Sequence, residues 1–337
     1  MPPVSDEEIT IENYLSSGLT VGAPDISGPL AVYPVFGGPA RTEYVSMARA
    51  HSQGFTVKEL PGGASVRDLL VSNPGPTAVL LFEGEEVLGA QQNRTFDNSV
   101  LVPAGEELKV PVSCVEAGRW DGSRHSESFR PAPQAAHPKL RREKAMQSSR
   151  ARDRGEEARA DQGAVWASVA DRSASMGVNS STGSMHDVYE SRRDRLVEMS
   201  GGIQLHENQI GAVLQIGNEV KAIDLVSRAD VYKDLHLPLI QGYCLDALAR
   251  PGGGAAGRRD EEVTGFVSVV SGQRILEKDG IGLGRDFRFG SEALVGAGLV
   301  AGEELIQLSA FTGETAENPE TEVPSHGRIR RPSRRRI

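Results

Sequence analysis

Two stretches decide the fold, "AVLLFEGEEVLGA" at 78–90 and "AVLQIGNEVKAI" at 212–223. Each reads as strand, glycine-containing turn, strand. A one-residue gap brings Gly84 onto Gly217, Glu86 onto Glu219 and Val87 onto Val220. Glycine supplies the positive φ that a tight turn needs, so both stretches are expected to be hairpins. Short runs rich in Val, Leu and Thr, broken by Gly, Pro and Asn, continue around the first from "LAVYPVF" at 30–36 to "SCVEAGRW" at 113–120. That punctuation predicts an antiparallel β layer, with one short helix in "YVSMARAHSQG" at 44–54.

Between 121 and 205 the texture turns helical. "KLRREKAMQSSRARDRGEEARADQ" at 139–162 favours helix but has almost no large apolar residue, which predicts a solvated helix or a mobile excursion. After the second hairpin, "SRADVYKDLHLPLIQGYCLDALA" at 227–249 reads as a short helix capped by Ser227 or Asp230, then a second helix begun by Pro238. In the latter, Leu239, Ile240, Tyr243, Cys244, Ala247 and Leu248 make one broad apolar face. A short helix or strand at 263–270, a turn-rich stretch and a strand "ELIQLSAF" at 304–311 complete the chain. The expected class is α+β: a β-rich antiparallel body with two similar hairpins and an inserted helical segment. The expected layout is an N-terminal extension over 1–27, one domain over 28–312 and a disordered basic tail over 313–337. The domain divides into a β-rich half 28–120, a helical insertion 121–205 and a β/α half 206–312.

The 337 residues are 38% hydrophobic, enough to bury a core and to exclude a wholly disordered chain. Acid in the first twenty residues argues against a secretory or mitochondrial leader, and no apolar run reaches the roughly 20 residues of a spanning helix. A cytoplasmic protein that does not cross a membrane is expected. Two cysteines 130 positions apart lack disulfide-scaffold or zinc spacing, and the histidines form no H-x-x-x-H or H-E-x-x-H pair, so no metal or other cofactor is predicted. The net charge is −9, and removing the six arginines of "HGRIRRPSRRRI" at 326–337 leaves −15 on the rest. Such a body repels nucleic acid and no specific nucleic-acid partner is expected; the basic tail or the helical insertion could meet a protein. "GIGLGRD" at 280–286 lacks the P-loop and dinucleotide spacings and reads as a structural turn.

The densest polar cluster is Glu83, Glu85, Glu86, Gln91, Gln92, Asn93 and Arg94, followed after one β excursion by Glu116, Arg119 and Trp120. Arg and Trp can clamp and stack a nucleotide, while amides and carboxylates bond ribose hydroxyls or a base edge. Gln91, Gln92, Asn93, Arg94, Arg119 and Trp120 are therefore the ligand-binding candidates. The competing reading has Glu83 to Glu86 decorating an exposed turn and Glu116 with Arg119 as a surface pair. If 91–94 is extended, Gln92 and Arg94 point to one face, Gln91 and Asn93 to the other. Catalytic candidates are Glu85, Glu86 or Glu116 as a general base and Cys114 as a nucleophile with His125 and Glu116 near it in sequence. Cys114 shares a strand face with Val110 and Val112, and Cys244 lies in a helix stripe, so both also read as core thiols. Asp246 borders that stripe and could cap a loop or face a cleft.

Three segments, "LLFEGEEVLGAQQNRT" (80–95), "VPVSCVEAGRW" (110–120) and "YCLDAL" (243–248), resemble a bacterial and archaeal family. This is the ARG and Rhodanese-Phosphatase-superfamily-associated Protein family, ARPP-1. The likeness spans about 28–312. Its name implies association with ADP-ribosylglycohydrolases and rhodanese-like phosphatases, hence an ADP-ribose or nucleotide-type ligand and a ligand-binding or accessory role in ADP-ribose or NAD-linked metabolism or signalling. A hydrolase or transferase acting on a nucleotide-type substrate, and a scaffold without a small-molecule site, are the alternatives. The family brings no catalytic residues with it.

Overall fold

The computed structural model describes residues 9–313 except 64, 251–253 and 292. The stretch at 212–223 is a hairpin: Gly211–Ile216 pairs antiparallel with Glu219–Val226, and Gly217 takes φ +59° at the first position of the two-residue turn. The hairpin lies inside a nine-stranded sheet running Thr20–Val21, Leu30–Phe36, Gly211–Ile216, Glu219–Val226, Glu304–Thr312, Leu294–Ala301, Arg285–Gly290 and Leu276–Asp279, with Asp25–Ser27 also on Leu30–Phe36. Side chains alternate across a strand, and here both faces are buried. Leu30, Val32, Ala212 and Leu214 pack with Leu239, Ile240 and Tyr243 of the helix Ala229–Leu248. Ala31, Tyr33, Val213 and Ile223 pack on the opposite side with Val263 and Val267 of the helix Asp260–Ser271.

The stretch at 78–90 shares the turn but not the pairing. Glu85 N donates to Phe82 O at 3.0 Å and Gly84 has φ +89°, as the sequence predicts. The two strands then enter different sheets. Ala78–Leu81 pairs with Val100–Val102 and, in parallel, with Tyr44–Ser46; Glu85–Leu88 joins Arg130–Ala135 and Arg94–Phe96 in a six-stranded sheet. The expected first hairpin is thus a corner between sheets. Glycine chemistry forms the turn locally, while each strand finds its hydrogen bonds further along the chain. Beneath the corner lies a third apolar cluster, with Val79, Leu81, Val87, Phe96 and Val112.

The α+β, β-rich class with inserted helices stands, with corrections inside it. The segment 121–205 is not purely helical: its strand Arg130–Ala135 closes one edge of the six-stranded sheet. The helix Pro138–Asp153 is neither solvated nor an excursion, because Arg141, Lys144 and Ser148 are buried along it. Arg141 is fully enclosed, donating to Asp224 from Nη1 at 2.8 Å and Nη2 at 2.7 Å, to Glu83 from Nε at 3.1 Å and to Ser309 at 2.9 Å. Its guanidinium lies 5.2 Å from the Phe82 ring and 5.1 Å from the Phe311 ring. Lys144 Nζ meets Asp97 at 3.0 Å. Carboxylates distant in sequence, Asp224 on a strand and Glu83 and Asp97 in the turns beside strands, supply the partners that permit such burial.

Ala229–Leu248 is one helix of twenty residues that continues through Pro238, with Arg228 rather than Ser227 or Asp230 at its N-cap. Burial of Leu235, Leu239, Ile240 and Tyr243 outweighs the one hydrogen bond that proline removes. The turn-rich stretch after 275 is a strand pair, Leu276–Asp279 with Arg285–Gly290. The N-terminal boundary at 27 is too late: Thr20–Val21 and Asp25–Ser27 are sheet strands, and Ile11 is fully buried in the second core. The basic tail falls at 314–337, outside the described residues. Among the described residues no helix is long and apolar enough to cross a membrane.

Candidate functional site

The chain leaves Glu85–Leu88 through Gly89 at φ +127° and Ala90 at φ +41°, then returns along Arg94–Phe96 beside Glu107–Cys114. Ala90 is a fully buried non-glycine residue with positive φ, a conformation costing about 1–3 kcal/mol that persists only where the surroundings hold it. Arg119 is one such hold, with Nη1 donating to Ala90 O at 2.7 Å.

Gln91, Gln92, Asn93 and Arg94 are all buried, with 4%, 3%, 6% and 0% exposure, rather than spread over a convex surface. They do not alternate as an extended strand would, because 91–93 is irregular. Gln92 and Asn93 join a closed scaffold. Gln92 donates to Glu116 O at 2.9 Å and accepts from Cys114 Sγ at 3.2 Å. The Glu116 carboxylate receives Arg119 Nε at 2.9 Å and Nη2 at 2.6 Å, Asn93 N at 3.0 Å and Thr182 Oγ1 at 2.9 Å. Burial raises its pKa, but the bonds from Arg119, Asn93 and Thr182 outweigh this and hold the carboxyl below its ordinary range. With four donors on it, Glu116 is a positioned anion. Cys114 is fully buried, and His125, the base a nucleophile there would need, bonds Gln91 instead at 3.2 Å.

Gln91 and Arg94 turn elsewhere and flank Glu59, a residue that sequence reasoning missed. The Arg94 Nη2 to Glu59 Oε1 separation is 3.9 Å, and both side chains are completely enclosed. Among the described residues Arg94 Nε and Nη2 and Gln91 Oε1 have no hydrogen-bond partner, and the Glu59 oxygens have no close one, the Gln91 backbone amide approaching them only loosely. Burial is the main force pushing the Glu59 carboxyl up, only partly offset by Arg94, the Gln91 backbone amide and His125. Trp120 stands one residue beyond Arg119 and is 51% exposed. The only sequence signal for Glu59 is a carboxylate closing the short strand Thr56–Lys58 before "LPGG", which reads as turn decoration.

Glu83, Glu85 and Glu86 do not decorate an exposed turn: their exposures are 7%, 7% and 1%, because the corner between sheets is covered by helices. Glu85 Oε2 accepts from Phe82 N at 2.7 Å, and burial pushes its carboxyl up to about 8. Burial does the same to Glu86, up to about 8, although Gln134 Nε2 donates to its Oε2 at 2.6 Å. The same Gln134 nitrogen lies 2.8 Å from His186 Nδ1, and among the described residues Glu86 Oε1 has no hydrogen-bond partner. Gln134 and His186 also escaped the sequence reading, since "RPAPQAAHP" looks like a loop.

Cys244 is enclosed in the core as its helix stripe predicts. Asp246 caps a helix rather than a loop, Oδ2 accepting from Lys139 N at 2.8 Å at the start of Pro138–Asp153, and it lines a cleft of about 690 Å³ with His137, Arg142 and Arg172. Among the described residues no group of three or more His, Cys, Asp or Glu could hold a metal ion.

The fold and site define an α+β protein with a polar, largely enclosed cluster where two β layers meet. Residues 18–311 match the family model described as the ARG and Rhodanese-Phosphatase-superfamily-associated Protein domain, ARPP-1, and the chain belongs to that family. No curated protein and no solved structure matches it significantly.

Proposed function

We propose that this chain is a ligand-binding or accessory component of ADP-ribose or NAD-linked metabolism, taking a nucleotide-type ligand at Gln91 and Arg94 with Trp120 at the rim. One observation carries the reading. A buried guanidinium whose donors are unmet costs several kcal/mol, and among the described residues Arg94 Nε and Nη2 and Gln91 Oε1 have no hydrogen-bond partner, with the Glu59 carboxylate no nearer to Arg94 than 3.9 Å. Donors and acceptors held unpaired in this way suit a polar ligand, and a half-exposed indole suits a base. The family's name supplies the ADP-ribose context. Thermal shift with ADP-ribose, NAD and ADP tests it: ligand at 100 times its Kd stabilises by about 2.7 kcal/mol. Absence of any shift at millimolar ligand would overturn the reading.

A second reading, a hydrolase or transferase on a nucleotide-type substrate, draws on Glu86. A carboxyl pushed up to about 8 is protonated at neutral pH and can serve as a general acid, with Gln134 between it and His186. Under this reading Glu86→Gln abolishes turnover of an ADP-ribosyl substrate while leaving ADP-ribose binding intact. Unchanged turnover would eliminate it.

A further inference from the structure

We infer that Glu59, with Arg94, selects a pair of adjacent hydroxyls, the cis-diol of a ribose, in the ligand. This deepens the nucleotide reading above and rests on it. The chemistry of the unpaired atoms narrows the choice. Glu59 offers two acceptors, Arg94 offers two donors from Nε and Nη2, and Gln91 Oε1 offers a further acceptor. The carboxylate and the guanidinium stand 3.9 Å apart at their nearest atoms, too far for a tight pair and near enough to share one small group.

A phosphate placed between them would satisfy Arg94 and be repelled by Glu59. An amine would satisfy Glu59 and be repelled by Arg94. An apolar group would leave every one of these buried atoms unpaired. Neighbouring hydroxyls meet all the requirements, because each donates its proton to the carboxylate while its oxygen accepts from the guanidinium. Carboxylates recognise ribose hydroxyls in the same manner in dinucleotide sites.

Residues 121–128 run beside this group, Ser128 bridging to Lys58 next to Glu59, with Gly122, Ser123 and Ser126 to Ser128 exposed. They are fastened to the site by the bond between Gln91 and His125 at 3.2 Å and by Asp121 N to Gln91 O at 3.5 Å. Trp120 immediately precedes this segment and is 51% exposed, a place for the base of such a ligand.

Calorimetric titration of the full chain tests the inference. Wild-type protein and Glu59→Gln are titrated with ADP-ribose, ADP and 2′,3′-dideoxy-ADP. The expected result is that Glu59→Gln weakens ADP-ribose by about tenfold or more, the loss that accompanies a missing hydrogen bond to a charged group. Wild type should favour the member with the additional diol in at least one pair, ADP over dideoxy-ADP or ADP-ribose over ADP, by a similar factor, and Glu59→Gln should erase that preference. Equal affinity of Glu59→Gln and wild type for ADP-ribose would overturn the inference while leaving the nucleotide reading intact. Absence of wild-type binding to all three would remove the nucleotide reading itself. The comparison among ligands on wild type needs no variant, so a Glu59→Gln chain that failed to fold would still leave the inference exposed: three equal affinities overturn it.

Discussion

Replacing Arg141 by Met should unfold much of what joins the two halves of the chain. The methionine can follow the arginine stem between Phe82 and Phe311, so the change mainly removes charge and hydrogen bonds. Asp224, with 0% exposure, loses both of its guanidinium bonds and keeps Tyr243 Oη at 2.5 Å; Glu83 loses its two, at 3.1 and 3.0 Å. Two carboxylates are then left in the interior without their cation. Breaking a buried pair in this way costs about 3–5 kcal/mol, against a total stability of about 5–15 kcal/mol for a typical domain. At about 2–4 °C per kcal/mol for large domains, the melting temperature should fall by roughly 6–20 °C. Urea unfolding followed by circular dichroism gives the free energy, and Arg141→Met with Asp224→Asn should recover part of the loss by removing one stranded charge. A loss below about 1 kcal/mol for the single variant would refute the reasoning, since the network would then be contributing no more than an exposed ion pair.

Gly84→Ala should cost more than about 1 kcal/mol, because φ is +89° and a Cβ there would sit 2.7 Å from Arg141 Cδ; Gly105→Ala, at φ +73° in open space, should cost less. Stability should depend on pH through Glu86. Its folded carboxyl titrates near 8 against an ordinary 4.5, so its contribution is complete below pH 4.5 and is lost as pH rises toward 8. Glu86→Gln should therefore match wild type near pH 4 and exceed it at pH 8.5, by an amount on the order of 5 kcal/mol at most; a pH-independent difference in urea midpoints would contradict this. Cys114 and Cys244 are both fully enclosed, and burial pushes the Cys244 thiol up to about 12. A thiol-specific chromogenic reagent should find no reactive cysteine in the native chain and two in urea; prompt native reaction would count against the packing.

Much of the architecture was readable where local chemistry and tertiary pairing agree. The hairpin around Gly217 is such a place: the turn glycine, the alternating strands and the partners all lie within fifteen residues. At Gly84 the same local signal yields the same turn, yet the strands pair with Tyr44–Ser46, Val100–Val102 and Arg130–Ala135, and nothing in the thirteen residues themselves specifies those partners. The helix Pro138–Asp153 misleads for a related reason. Its arginines and lysines signal solvent until Glu83, Asp97 and Asp224 are brought to them by strands far away in sequence. In the site, Gln91 to Arg94 and Arg119 stand out as polar residues beside apolar strands, whereas Glu59 becomes meaningful only once the fold sets it against Arg94.

The position of Leu30–Phe36 carries a consequence for synthesis. Its neighbour on the inner side of the sheet is Gly211–Ile216, so roughly 175 residues must be made before that strand finds its partner. At about 5–20 residues per second this is a wait of about 9–35 seconds, during which Leu30, Val32 and Val35 have only the short strands Thr20–Val21 and Asp25–Ser27 beside them. A nascent chain halted short of residue 210 would present an apolar strand with one unoccupied edge, the kind of surface that chaperones hold and that stalled chains aggregate through.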